Sequence, residues 1–156
     1  MRDVAEFLAH AIKLEEDAAN RFSDLEQAMK SYGNLESAAF FGKLAHFSRL
    51  HLAQAKRRSG YHDLPDIKEG DYVWSAGDSP EATSMEASHY LMTIDYSIQL
   101  ALDGERSGYQ FYQNIANTTA DQEIRVMAIE FATEEAEHVM ELEKWINARA
   151  KELATS

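Results

Sequence analysis

The sequence predicts an all-α fold, a four-helix bundle made of two antiparallel helical hairpins joined by a long crossover. Three observations carry that expectation. Four long stretches repeat apolar residues in alternating steps of three and four, the period of a helix that buries one face. Helix breakers are scarce, with two prolines and seven glycines in 156 residues, and they crowd into residues 60–80. Tight-turn signals separate the two stretches of each pair, at Gly33-Asn34 and at Thr119-Ala-Asp-Gln122. The length suits one domain with a real core, so residues 1–156 are read as a single unit.

The first helix is expected from about Asp3 to Tyr32, with Val4, Leu8, Ala11, Glu15, Ala18, Phe22, Leu25 and Met29 on its inner face. Gly33 suits a left-handed stop, and Asn34 suits the cap of a second helix. That second helix should span roughly Leu35 to Ser59, with Phe41, Leu44, Ala45, Ser48, His51, Leu52 and Ala55 inward. Lys56, Arg57 and Arg58 complement its C-terminal dipole. Residues 60–80 hold Gly60, Pro65, Gly70, Gly77 and Pro80 and keep no helical period. They read as a crossover running the length of the bundle, pinned by Leu64, Ile67, Tyr72, Val73 and Trp74; the same aromatic cluster would also suit a partner surface. Ser79-Pro80 reads as the start of the third helix, which continues to about Ala116. Its stripe is Ile94, Ile98, Ala101, Glu105, Gly108, Tyr112 and Ile115. Thr119-x-x-Gln122 has the form of a capping box opening a fourth helix to about Ala150. That helix carries Ile124, Ala128, Phe131, Glu135, His138, Leu142 and Trp145 inward.

Composition narrows the function. With 45% apolar and 27% charged residues the chain has the make-up of a soluble globular protein. It has no cysteine, which excludes disulfides, thiolate zinc sites and iron–sulfur clusters. A net charge of −12 argues against nucleic acid and anionic membranes as partners and suits a protein that attracts cations. The N-terminus lacks the pattern of a secretory signal, and no apolar run approaches a membrane span, so the cytoplasm is the expected compartment.

Each inner stripe is interrupted by polar residues, and these interruptions carry the chemistry. Glu15, Glu105 and Glu135 sit in apolar rows, where a carboxylate is costly unless paired, protonated or bound to metal. Glu135-x-x-His138 places a carboxylate and an imidazole one turn apart on one face. Glu15 and His51 are equally far from Gly33, and Glu105 and Glu135 are centred on Ala120, so each hairpin presents its polar residues at one level. A single layer would then hold Glu15, His51, Glu105, Glu135 and His138. Three carboxylates cannot all ionise there without cations, and iron or manganese accepts this mixture of oxygen and imidazole donors, with zinc a further option. Glu16 and Asp103 are the off-stripe rivals of Glu15 and Glu105. Tyr112 should be core, with its hydroxyl near the layer and a redox role as the sharper alternative. His10, His46, His62 and His89 read as surface or loop residues. The halves also echo each other: Glu15 precedes Phe22 as Glu105 precedes Tyr112, and Ser48-x-x-His51 aligns with Glu135-x-x-His138.

Leu14-Glu15 with Phe22, Phe41-x-x-Leu-Ala-x-x-Ser-x-x-His51, Glu105 with Phe111-Tyr112, and Glu134-Glu135-x-x-His138 together resemble the rubrerythrin-type members of the ferritin-like superfamily. The resemblance implies a ferritin-like bundle with a di-iron centre. Its terminal carboxylates would be Glu15 and Glu105, its bridging carboxylate Glu135 and its imidazoles His51 and His138. It also implies an oxidoreductase in which ferrous iron reduces peroxide or dioxygen, Glu105 and Glu135 shifting with the metal charge, and a homodimer. Two departures bear on this. Ser48 stands where the pattern has a second bridging Glu, which leaves the site with one metal, a weak second metal or an exogenous anion. The absence of cysteine means no rubredoxin-like domain, so electrons would come from another protein. Iron binding or buffering without turnover, and a structural bundle with a degenerate site, are the alternative functions.

Overall fold

The computed structural model describes residues 3–60, 64–68, 72–74 and 94–155. These residues form four α-helices: α1, Val4–Ser31; α2, Leu35–Ser59; α3, Ile94–Thr118; and α4, Gln122–Thr155. Local chemistry sets several of their ends. The Asp3 carboxylate accepts from the Glu6 N–H at 2.8 Å and caps α1. Gly33, at φ 75°, turns the chain left-handed after α1. There the Asn34 N–H reaches back to the Met29 carbonyl at 2.9 Å. The Asn34 side chain then accepts from the Ser37 N–H at 3.0 Å and opens α2.

The start of α4 corrects the expected capping box. The cap is Asp121, whose carboxylate accepts from the Glu123 and Ile124 N–H groups at 2.8 and 3.1 Å. Thr119 instead accepts from the Asp121 N–H at 3.1 Å, one step outside the helix. A carboxylate is favoured at this position because it also complements the positive end of the helix dipole. The fourth helix continues past Ala150 to Thr155. The expected third-helix start at Ser79-Pro80 lies outside the described residues.

Helices α1 and α2 pack as one hairpin and α3 and α4 as the other. Two apolar clusters fix how the hairpins meet. One joins Phe7 and Leu8 early in α1, Ala55 late in α2, Tyr112 late in α3 and Phe131 early in α4. The other joins Phe22 and Leu25, Phe41, Ile98 and Leu142 at the opposite ends of the same helices. Helix α1 therefore runs parallel to α4 and antiparallel to α2 and α3, and the connection from α2 to α3 joins two parallel helices, as a crossover must. Phe7, Phe22, Phe41 and Phe131 are fully buried in these clusters; each contributes on the order of 1.5–3 kcal/mol.

Two aromatics of the crossover are pinned as expected. The Tyr72 and Trp74 rings stack 4.8 Å apart. Both meet His10 edge-on, and Trp74 also meets Phe111. Leu64 and Val73 are exposed and do not pin the segment. The same packing corrects the placing of His10 at the surface, since it is fully buried. Its Nδ1–H donates to the Glu6 carbonyl at 2.8 Å, and its Nε2 accepts from the Val73 N–H at 3.0 Å. The cause is a second inward row on α1, Phe7, His10, Leu14 and Arg21, beside the expected one. His46 is exposed, as expected; His62 and His89 lie outside the described residues.

Candidate metal centre

The polar layer lies between the two apolar clusters. Helix α1 supplies Glu15, α2 supplies Ser48 and His51, α3 supplies Glu105, and α4 supplies Glu135 and His138. Glu15, Glu105 and Glu135 are each no more than 1% exposed and His138 is 5% exposed. Their off-stripe rivals point away: Asp103 is exposed and Glu16 half-buried. The tightest group is Glu105, Glu135 and His138, each offering one ligand atom within 4.8 Å of the others. His138 Nδ1 donates to Glu105 Oε2 at 3.0 Å. Glu15 joins through Glu135, which is hydrogen-bonded to both Glu15 and Glu105. The buried Tyr112 hydroxyl donates to Glu15 Oε1 at 3.3 Å and links the two hairpins. Thus the two polar levels expected from the hairpins coincide in one layer.

His51 stands beside this group. Its ring stacks on that of His138, with centroids 5.0 Å apart. Its Nδ1 lies 3.7 Å from Glu134 Oε2, a carboxylate that the periodicity did not single out. Glu134 is half-buried because α2 covers its flank of α4. A cleft of about 270 Å³ between α2 and α4 is lined by Lys43, Phe47, His51, His138 and Lys144, among others, and leads to the two imidazoles.

The sequence reading balanced the buried carboxylates with metal ions alone, and the structure adds a side-chain cation. Arg21, on the second inward row of α1, is 2% exposed and donates from Nη2 to Glu105 Oε1 at 2.9 Å. Its guanidinium lies over the Phe22 ring, 4.3 Å from the centroid. Gly104 makes the room, because a Cβ there would fall on the guanidinium. Two faint signals bear on these residues singly: Arg21 falls at helical spacing from Leu14, Ala18 and Leu25, and a glycine directly precedes Glu105; neither says that the two meet.

These contacts divide the acids. Burial pushes the Glu15 carboxyl up, to about 8, against the hydrogen bond from Glu135. Burial acts the same way on Glu105, but the Glu135 and His138 hydrogen bonds and the Arg21 charge overcome it and hold that carboxyl well below the usual range. For His138 burial favours the neutral ring, and the Glu105 hydrogen bond and charge carry it above the usual value. His51 is pushed down to about 4 by burial and by the neighbouring His138. Burial, then Glu130, raises Glu134 to about 7.

The donor set fits a hard or borderline cation. Glu15 Oε2, Ser48 Oγ, His51 Nδ1 and Glu134 Oε2 are buried atoms without a hydrogen-bond partner. Carboxylate oxygens and imidazole nitrogens are ligands that ferrous and manganous ions take.

No protein-family model matches this chain, and no curated protein does. Among solved structures, an uncharacterized conserved protein from Magnetospirillum magnetotacticum MS-1 is 40% identical, with a TM-score of 0.79. The match covers 94% of this chain and 95% of that one. At that identity over nearly the full length of both, on a shared ferritin-like frame of four helices, the chain belongs to the family of that conserved protein.

Proposed function

We propose that this bundle is an iron-binding protein of rubrerythrin type, with Glu15, Glu105, Glu135, His138 and His51 holding the metal. Bound ferrous iron supplies the electrons that reduce peroxide or dioxygen. The observation that carries the reading is the convergence of three buried carboxylates and an imidazole from three helices in one layer sealed by apolar clusters. Several residues support it by what they do to their neighbours. Glu105 orients the His138 ring, and Tyr112 steadies Glu15. Phe131 and Leu44 belong to the clusters that keep water from either side. The cleft beside His51 and His138 admits an oxidant of a few atoms. Return of the electrons by a separate donor protein belongs to the same proposal. A cytoplasmic homodimer is part of the same proposal.

The test is anaerobic loading with ferrous iron, elemental analysis, and mixing with peroxide. The expected outcome is iron retained through gel filtration and its rapid peroxide-dependent oxidation. Glu135→Ala should lose both, and an iron content unchanged in that variant rejects the site. Arg21 favours a second reading, a structural polar layer without metal. The Arg21–Glu105–His138 chain already pairs two cationic groups with a carboxylate. Wild-type protein that holds no iron under any loading would select that reading.

A further inference from the structure

We infer that Arg21 takes the place of one of the two metal ions, so that the layer holds a single divalent ion per chain. This rests on the proposed metal-binding function and specifies its stoichiometry. A dinuclear bundle site of this type uses four carboxylates, one from each helix, against two divalent ions. Here α2 presents Ser48 instead, fully buried and with its Oγ unsatisfied. The layer has therefore lost one negative charge. It has also gained one positive charge, since Arg21 is buried in direct contact with Glu105. Together the two changes equal the charge of one divalent ion. Glu15, Glu105 and Glu135 against Arg21 leave two negative charges, the complement of one ion; a second ion would leave two uncompensated positive charges in an apolar core.

Geometry agrees with the charge count. Glu105 spends Oε1 on the guanidinium and turns Oε2 to His138. Among the described residues, the group whose ligand atoms lie within reach of one cation is Glu105, Glu135 and His138. Gly104 is the steric counterpart, leaving space for the guanidinium where any side chain would displace it. Glu134 stays outside the count, because its carboxylate faces His51 Nδ1 at 3.7 Å and is not one of the three residues whose ligand atoms lie together.

The experiment is ferrous iron per chain by elemental analysis after anaerobic saturation and gel filtration. It compares wild type with an Arg21→Gln, Ser48→Glu double variant that removes the cation and restores the fourth carboxylate. One ion in wild type and two in the double variant are expected. Gly104→Ala, which crowds the guanidinium without touching a ligand, guards against misfolding of the double variant and should raise occupancy above one. The metal-free Arg21→Gln protein should melt lower than wild type and regain more on iron addition. Two ions in wild type overturn the inference and leave the iron-binding function standing. A folded double variant and a Gly104→Ala variant that both stay at the wild-type stoichiometry also overturn it. No ion in wild type overturns the metal reading itself, and this inference with it.

Discussion

Protonating His10 would break a hydrogen bond that ties the crossover to α1. The neutral ring donates from Nδ1 to the Glu6 carbonyl and accepts at Nε2 from Val73. A protonated ring has two donors, so the Val73 N–H would face another N–H. Burial, opposed by the Glu6 carbonyl and charge, lowers the folded pKa below its ordinary 6.5. For a histidine shifted in that direction, the stabilising contribution is complete above the unfolded value and fades as pH falls below it. Trp74 reports the change, since it packs edge-on against His10. In a Trp145→Phe background, which leaves Trp74 as the remaining tryptophan, its emission should shift red as pH falls below about 6.5. His10→Gln, which does not titrate, should give a flat profile; an equally flat wild-type profile would show that the ring does not hold the segment. Glu15, Glu105, Glu135 and His138 were legible in the sequence because each interrupts an apolar row. His10 and Arg21 were not, because their row on α1 is already mixed in polarity and is buried by segments far along the chain. Arg21 finds Glu105 across the two hairpins, and no local period announces such a pair.

Helix ends are decided by a few hydrogen bonds, and the fourth helix shows which residue decides. Asp121 satisfies two N–H groups of the first turn, whereas Thr119 satisfies only the Asp121 N–H outside it. Asp121→Ala should therefore cost about 1 kcal/mol, or roughly 2–4 °C in Tm for a chain of this size. Thr119→Ala should cost clearly less. The reverse order in thermal melts would restore Thr119 as the cap. Gly33 and Asn34 were legible as stop and start because each has one physical use there: a left-handed backbone and a short side-chain acceptor. The α3–α4 turn was less legible because Thr119 and Asp121 are both competent acceptors. Only the geometry of the turn, with the dipole's preference for a carboxylate, chooses between them.

The whole molecule is two apolar clusters separated by a polar layer, and the layer is where cohesion is weakest. Each cluster contains residues from all four helices, so the apolar packing that joins the helices lies on either side of the layer and does not run through it. This is why the fold was legible from periodicity alone, while the occupancy of the layer was not: stripes report which faces are buried, and charge balance depends on partners that the stripes do not show. Cohesion across the layer comes from the Arg21–Glu105–His138 chain and from Tyr112 on Glu15. A cation bound there would tie Glu105, Glu135 and His138 together from α3 and α4 and add to the native state alone. At 100-fold excess over its Kd such an ion contributes about 2.7 kcal/mol. For a chain of this length that is a Tm rise of about 5–10 °C. Manganous ion is the convenient probe, since it does not oxidise during a melt. The shift should vanish in Glu135→Ala, which removes the carboxylate shared by Glu15 and Glu105. The same shift in that variant would place the ion elsewhere on an acidic surface. No shift in the wild type would leave the layer held by its own arginine.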